Sequence, residues 1–312
     1  MIGGFVMSKV VVAEPENQET YHSENFKLNK KKVRRPPIGS YILLIIYSLY
    51  ILVPLYIIVI TSFKTRAEAN SSVFTWWPQL GFSLEAYREL FTGSGLSELL
   101  RPLLNTFLYY VPTCLCDVFF SAVSAYGFAK MEFAGRKQIF AFLIMTMTLP
   151  GSVTQSSSRV WMSALGLMGT ALPLILPAIF GGIGQVFFLR QYIAGIPDDL
   201  IGAAKIDGMG QIKIFLTLII PLTLPALLVR VILGFIGSYN DYMGPLIYMM
   251  QYQDKWTLQL ALKNISDIYN ASGGKNFMMA CAAVGMAPLI IVYIFIQDYI
   301  IRSTSIGSGL KG

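Results

Sequence analysis

Charged residues and histidine are scarce in this chain of 312 residues. Only 13% of the residues are charged, against about 25% in soluble domains, and 54% are hydrophobic. The single histidine, His22, lies in a polar N-terminal stretch, which argues against histidine metal sites and histidine-dependent triads. The three cysteines form no CxxC pair and lie in apolar runs, where cysteine packs as a small hydrophobic residue. The composition predicts a membrane protein without a catalytic or metal site.

Apolar runs long enough to cross a bilayer recur along the chain. Residues 38–63 include no charge, and at 1.5 Å per residue they exceed a hydrocarbon core of about 30 Å. Further runs occupy about 105–128, 138–156, 171–189, 214–240 and 276–301. The sequence therefore predicts an all-α polytopic protein with six transmembrane helices, which places both termini on one side of the membrane.

The distribution of basic residues predicts the orientation. The cluster "KLNKKKVRR" lies directly before the first apolar run, where a positive-inside signal is favoured over a nucleic-acid patch. With the N-terminus inside, fifteen Lys and Arg residues fall on the cytoplasmic side and eight outside. We predict an N-in/C-in topology with a cytoplasmic, partly disordered tail over residues 1–36, a six-span domain over 37–305 and a cytoplasmic tail over 306–312.

A polar segment, "IPDDLIGAAKIDGMGQIKIFLTLIIPLTLP", interrupts the apolar chain between predicted spans four and five. Pro197 suits a first helical turn, and Asp198 and Asp199 favour the positive end of a helix. Asp207 and Gly208 supply a turn before a second helical piece enters the membrane. We call residues 195–215 the elbow and predict a cytoplasmic helix-turn-helix.

Small residues give the elbow little side-chain bulk. Gly202, Ala203 and Ala204 permit close approach of another backbone or of a protein cleft. An interfacial helix more often carries Lys, Trp and Leu. Composition alone leaves a protein-docking elbow and an interfacial helix both open.

Charges inside the predicted spans mark a second candidate site. Such groups usually face a helix-bundle interior or a water-filled cavity, and helical spacing places Arg230 and Asp241 on nearly the same face. One interpretation is a polar translocation path, whose hydrogen-bonding and stacking groups suit sugars. The alternative puts Asp241 at the outer interface and pairs Arg230 with a neighbouring subunit; the scarcity of other acidic groups in the spans argues against a proton relay. The candidate path residues are Asp117, Arg230, Tyr239, Asn240, Asp241 and Tyr242.

The elbow resembles the EAA motif of binding-protein-dependent ABC importer permeases, roughly E-A-A-x-x-D-G-A, then F, then I-x-x-P-L-x-x-P. The chain has "GAAKIDGM", Phe215 and "IIPLTLP" at these places. The segment "NTFLYYVPTCLCDVFFSAVSAYGFAKMEFAGRKQIF", the stretch "FIGSYNDYMGPLIY" and the ending "GSGLKG" are similar to the maltose-type, carbohydrate-uptake branch. One departure stands out, because Gly202 replaces the leading glutamate and Met209 replaces the final alanine.

The resemblance implies a permease subunit in the bacterial inner membrane that forms half of a sugar pathway. It implies a coupling loop built from Pro197, Gly202, Ala203, Ala204, Asp207 and Gly208 that binds a cytoplasmic ATPase. The expected partners are a second homologous permease, an ABC ATPase dimer, an extracytoplasmic solute-binding protein and the sugar. No GxxxxGK[ST] occurs in the chain, so ATP and Mg are expected on the ATPase, and this chain is expected to bind no cofactor and to be no enzyme.

The alternative function is a stand-alone secondary transporter or channel driven by an ion gradient. That class predicts internal repeats with ionisable residues at matching positions of two halves. No such repeat is found in the sequence, and the elbow would then have no purpose.

Overall fold

The computed structural model of the chain describes residues 37–92 and 94–309. The predicted N-terminal tail, residues 1–36, lies outside this part, and so do residues 310–312. The described residues divide into two compact units between residues 52 and 53, and this boundary falls inside the first helix. The described part contains helices and connecting segments but no β-strand, which confirms the predicted all-α class.

The helices of the described residues are, in chain order, α1 (Ile38–Ser62), α2 (Arg66–Ala69), α3 (Glu85–Thr92), α4 (Ser94–Lys130), α5 (Arg136–Thr146), α6 (Gly151–Ala164), α7 (Leu172–Ile179), α8 (Ile183–Ala194), α9 (Asp198–Ile206), α10 (Gln211–Ile214), α11 (Ile220–Tyr239), α12 (Met243–Met249), α13 (Leu258–Ser272) and α14 (Lys275–Gly309). A π-helical turn, Phe215–Ile219, joins α10 to α11, and a 3₁₀ turn, Gln253–Lys255, precedes α13. The predicted domain boundary at residue 305 falls inside α14.

Five stretches of the described residues are long and apolar enough to cross a membrane: Ile38–Ser62, Glu98–Lys130, Leu172–Ala194, Gln211–Tyr239 and Lys275–Gln297. They correspond to five of the six predicted runs. In the first unit, the apolar side chains of residues 38–52 are exposed, as expected of a helix whose surface faces hydrocarbon.

The third predicted span, 138–156, is not one helix. α5 ends at Thr146 and α6 begins at Gly151. Pro150 lacks a backbone N–H and disfavours a helical conformation at the preceding Leu149, which favours the end of α5 before this point. With 11 and 14 residues, α5 and α6 measure roughly 16 and 21 Å, each shorter than a hydrocarbon core.

The fourth predicted span is also broken, between α7 and α8. Gly181 adopts φ +72°, and a Cβ added there would lie 2.9 Å from Ser121 Oγ and 3.0 Å from Ser121 N on α4. Only glycine fits, because its φ lies in the left-handed region and because it touches the backbone of a neighbouring helix. The break leaves the first backbone N–H groups of α8 without partners inside the helix.

α4 is the helix against which the second unit is built. It packs against α7, α8 and α11 along its length, and against α3 and α13. One buried cluster surrounds the elbow end of α4, with Val118, Ala122, Ala125, Tyr126, Val186, Leu189, Ile193, Ile214, Phe215 and Ile219 among its members. A second surrounds the opposite end, with Leu90, Tyr110, Cys114, Phe235, Tyr239, Leu258, Phe277 and Cys281. α4 therefore connects the elbow to the far end of the unit.

Candidate functional site

The elbow forms the predicted helix-turn-helix. α9 begins at Asp198, directly after Pro197, and ends at Ile206. Gly208 adopts φ +77°, and its N–H and that of Met209 bond back to the Lys205 and Ala204 carbonyls. These bonds close the helix end as glycine C-caps do. α10 then starts at Gln211.

The second arm of the elbow, which begins with α10, enters the apolar region through an irregular turn. The π-helical turn Phe215–Ile219 stands immediately before α11, whose second residue is Pro221. Proline cannot donate a backbone hydrogen bond to the preceding turn, and π-helical turns occur mostly as single turns inside longer helices. The irregular turn ends two residues before Pro221, whereas Pro225 lies inside α11.

The two faces of α9 differ in exposure. Ile201 and Ala204 are buried in the cluster around the elbow end of α4. On the other face Ala203 and Asp207 are exposed, and Ile206, with 89% of its surface accessible, is among the most exposed apolar side chains of the described residues. The exposed face of α9 therefore presents an apolar side chain beside an acidic turn.

Lys130, the last residue of α4, bonds the first arm of the elbow, which consists of residues 195–197 and α9. Its Nζ donates to the carbonyl oxygens of Ala194 (3.4 Å) and Ile196 (2.6 Å) and to Asp198 Oδ1 (2.6 Å). The Lys130 side chain is 5% exposed, whereas that of Asp198 is 86% exposed. The hydrogen bond from Lys130 lowers the pKa of the Asp198 carboxyl. The ion pair is therefore retained at neutral pH and is lost only as the pH falls through this lowered pKa.

Tyr126 holds the second arm. Its hydroxyl donates to Gln211 Oε1 at 2.7 Å, and its ring lies 5.5 Å from that of Phe215 at an interplanar angle of 36°. Tyr126 and Lys130 are four residues apart on α4 and so share one face of the helix. One turn of α4 therefore contacts both arms of the elbow.

Gly202 lies in the middle of α9, where the EAA pattern has glutamate. A Cβ built on Gly202 meets no atom within 4 Å, and the residue is half-exposed. The fold itself therefore does not require glycine at this position.

Inside the spans, Asp117 stabilises the start of α8. Its Oδ1 accepts a hydrogen bond from the Gly182 N–H at 2.5 Å, and its Oδ2 accepts one from Gln185 Nε2 at 2.5 Å. A carboxylate at a helix N-terminus satisfies free N–H groups and interacts favourably with the helix dipole. Gln185 in turn accepts from Arg230 Nε at 2.5 Å, and the Arg230 guanidinium lies over the Phe188 ring at 5.3 Å. One amide thus joins the acidic and the basic group predicted as path residues.

We call the hydrogen-bonded group Asp117, Gln185 and Arg230 the Gln185 relay. The remaining predicted path residues lie apart from it. α11 ends at Tyr239, so Asp241 is in the connection to α12 and the helical spacing that grouped it with Arg230 does not apply. Asp241 accepts from Tyr110 Oη at 2.9 Å and from the Gly244 N–H at 3.1 Å. Tyr239 is buried, and its hydroxyl donates to the Gly285 carbonyl, so it packs rather than facing a cavity. Asn240 is exposed and Tyr242 half-buried.

Sequence reasoning missed four residues of these two sites, namely Tyr126, Lys130, Gln185 and Gln211. A basic residue in the last turn of α4 is a weak signal for a helix C-terminus. The reach from Lys130 to Ile196 depends on tertiary packing across 66 positions. Gln185 is uncharged, so a search for intramembrane charges passes over it.

The fold and these two sites define a multi-pass helical membrane protein with a helix-turn-helix between two of its spans. The chain belongs to the family described as "Binding-protein-dependent transport system inner membrane component", which matches residues 91–306. Membership confirms the prediction of an ABC importer permease subunit and not an enzyme, and it replaces the alternative of an ion-driven stand-alone transporter.

Relatives and a solved structure agree with this assignment. The chain is 29% identical over 288 residues to the arabinooligosaccharides transport system permease protein AraQ of Halalkalibacterium halodurans, covering 90% of this chain and 100% of the relative. It is 29% identical over 272 residues to the diacetylchitobiose uptake system permease protein NgcG of Streptomyces coelicolor, covering 86% and 87%. A crystal structure of a bacterial ABC transporter involved in alginate import has a chain of the same fold, with a TM-score of 0.72, 22% identity and coverage of 84% and 95%.

Replacing Gly202 is expected to leave the protein functional. Because a Cβ fits and glycine costs a helix interior about 0.5–1 kcal/mol relative to alanine, Gly202→Ala should fold at least as stably as the parent. Gly202→Glu adds the carboxylate of the EAA pattern to the same backbone, so the alanine variant is its matched control. We expect solute uptake in both variants within about twofold of the parent. A much larger loss confined to Gly202→Glu would contradict the equivalence of Gly202 and the EAA glutamate.

Proposed function

We propose that this permease imports a sugar or oligosaccharide and forms half of the translocation pathway. The proposal is supported by relatives named for arabinooligosaccharides, diacetylchitobiose and glucose. We further propose that the functional complex lies in the bacterial inner membrane. In this complex the chain pairs with a second homologous permease, two ABC ATPase subunits bind ATP and Mg on the cytoplasmic side, and a solute-binding protein delivers the sugar. The chain itself binds no cofactor.

The observation that carries the coupling role is the exposed surface of the elbow. Ile206 and Ile212 are 89% and 77% exposed, and Asp207 lies beside the Gly208 turn. The exposed isoleucine side chains are unfavourable in water, and small neighbours such as Ala203 leave room for a cleft to close over them. We propose that this surface, defined by Ala203, Ile206, Asp207, Gly208 and Ile212, binds the ATPase, and that its displacement moves the spans.

The orientation and the sixth crossing belong to the same proposal. We propose that α5 and α6 together cross the membrane, with the break at Met147–Pro150 near its middle, and that the topology is N-in/C-in. Glu132 and Leu165, both exposed, then lie on opposite sides.

The topology is tested with single cysteines. In a chain whose native cysteines are replaced by alanine, a membrane-impermeant maleimide should label Leu165→Cys in intact cells. Glu132→Cys should be labelled only after permeabilisation. Labelling of both positions from the same side would contradict a crossing by α5 and α6.

The contacts suggest different places along the proposed translocation path for its candidate residues. We propose that Asn240, Asp241 and Tyr242 face the solute near one end of the path, because Asn240 is exposed and the other two are partly accessible. Asp117 and Arg230 are proposed to line its middle through the Gln185 relay. Tyr239 supports the path from the core.

The transported class is tested by uptake in the assembled complex. The chain is co-expressed with its partner permease, ATPase and binding protein, purified and placed in liposomes that contain ATP. Radiolabelled arabinotriose, diacetylchitobiose and glucose are then added with the binding protein. We expect ATP-dependent accumulation of at least one of them; failure of all three, while another class of solute accumulates, would contradict a carbohydrate importer.

A further inference from the structure

The last turn of α4 bonds both arms of the elbow. Lys130 bonds the segment between α8 and α9, and Tyr126 bonds the first residue of α10. We call Tyr126 and Lys130 the α4 clamp. Neither residue belongs to the exposed surface proposed to bind the ATPase.

The hydrogen-bonding capacity of Lys130 is used completely inside the chain. An ammonium group has three N–H donors, and the three acceptors around Lys130 Nζ are two carbonyl oxygens and one carboxylate oxygen. With its side chain 5% exposed, this charge needs all of them, because an unpaired buried charge is strongly unfavourable. Lys130 therefore has no donor left for an ATPase or a lipid headgroup, and its role is to hold the elbow.

The contacts of Lys130 fall where the two helices change direction. Ala194 is the last residue of α8, and Asp198 is the first of α9. The ammonium thus donates to carbonyl oxygens at and just after the end of α8 and to the carboxylate of the first residue of α9. A cation near the C-terminus of a helix is favourable. A rotation of α9 relative to α8 breaks these bonds unless α4 moves with the elbow.

We propose that Lys130 and Tyr126 are positioning residues that transmit movement of the elbow to α4 during transport. The inference rests on the proposed coupling function and adds to it the helix that receives the movement. From the clamp, α4 continues through Asp117, which caps α8 at the break between α7 and α8, to Tyr110, which bonds Asp241. Elbow displacement then reaches both groups through a single helix.

The test separates coupling from assembly. Lys130→Met keeps the length of the side chain and removes the charge, and Tyr126→Phe keeps the ring and removes one hydroxyl. Lys137→Met is the matched control, because Lys137 is an exposed lysine seven residues further along. Each variant is purified with its partner subunits, and three quantities are measured: subunit stoichiometry, ATP hydrolysis, and sugar accumulated per ATP with the radiolabelled probe that the parent complex transports.

We expect all three complexes to assemble and to hydrolyse ATP. Sugar accumulated per ATP should fall about tenfold in Lys130→Met and about threefold in Tyr126→Phe, which corresponds to a loss of roughly 1.4 and 0.7 kcal/mol of coupling free energy. Lys137→Met should match the parent. Asp198→Asn should lower the ratio in the parent but add nothing in Lys130→Met, since the two residues act through one contact.

A parental ratio in Lys130→Met would overturn the inference. If Lys130→Met fails to assemble, Tyr126→Phe decides, because it leaves the buried charge satisfied; a parental ratio in that variant also overturns the inference. The proposed function fails separately, when the parent complex itself accumulates none of the sugars tested.

Discussion

Replacement of Asp117 by leucine is expected to lower the free energy of unfolding by about 3 kcal/mol, the value of a charge-assisted hydrogen bond and a buried donor left unpaired. The Gly182 N–H and Gln185 Nε2 lose their acceptor inside an apolar span. Gln185 is buried, so water has little room to replace the lost acceptor at its Nε2. Arg230 would also lose the carboxylate to which Gln185 connects it.

Asp117→Asn is the control of equal shape. The asparagine oxygen still accepts from Gly182, but its amide nitrogen then meets the donating nitrogen of Gln185, so we expect an intermediate loss. Asp267→Asn removes a carboxylate from an exposed pair with Lys263 and should change stability little, because water screens exposed ion pairs. The order of stability is therefore parent, Asp267→Asn, Asp117→Asn and Asp117→Leu.

The chain supplies its own reporters for this measurement. Cys114 and Cys281 are buried and Cys116 is half-buried, so in a Cys116→Ala background a thiol-reactive dye reports the exposure of the two buried cysteines on heating. We expect Asp117→Leu to lower the melting temperature by about 5–10 °C. A melting temperature equal to that of Asp267→Asn would remove Asp117 from the structural role assigned to it.

Uptake is expected to fall about 5–30-fold in Gly208→Ala, because a strain of about 1–2 kcal/mol at a left-handed position shifts the elbow away from its docked conformation by that factor. Gly208 has φ +77°, a conformation that alanine rarely adopts, and its turn closes the end of α9. Gly210→Ala is a matched control, since Gly210 has φ −72° and no atom lies within 4 Å of its Cβ position.

Asp207→Arg tests the charge of the same turn. Asp207 is exposed and follows the last residue of α9, without a side-chain partner among the described residues, so the substitution should leave the fold intact. Reversal of the charge on the docking surface should uncouple uptake from ATP hydrolysis while the protein stays in the membrane. Normal uptake and normal ATPase association in both Asp207→Arg and Gly208→Ala would contradict a docking role for the elbow.

Run length and turn chemistry predicted most of the architecture. Five of six apolar runs became helical stretches long enough to cross a membrane, because such a run has few alternatives in hydrocarbon. The Asp207-Gly208 turn was predictable because glycine favours the left-handed conformation that closes a helix. Hydropathy alone did not detect the breaks before Gly151 and at Gly181, since glycine and proline interrupt a helix without making it polar.

The contacts of the two sites were less predictable. The Gln185 relay and the α4 clamp join residues 45 to 85 positions apart, and no local pattern specifies which polar groups meet after the helices pack. The grouping of Asp241 with Arg230 assumed that α11 continues past Tyr239, whereas the helix ends there. Helical spacing holds only as far as the helix does.

Binding of the elbow to an ATPase subunit is the step on which the proposed coupling depends most. A photo-crosslinking amino acid at Ile206, which is 89% exposed, tests this directly in native membranes of cells that express the whole transporter. A second position at Trp76, 61% exposed in the segment between α2 and α3, serves as the control. We predict that Ile206 yields an adduct with the ATP-hydrolysing subunit and that Trp76 does not. Adducts of Ile206 with lipid alone, in membranes where the transporter is assembled and active, would contradict binding of the elbow to the ATPase subunit.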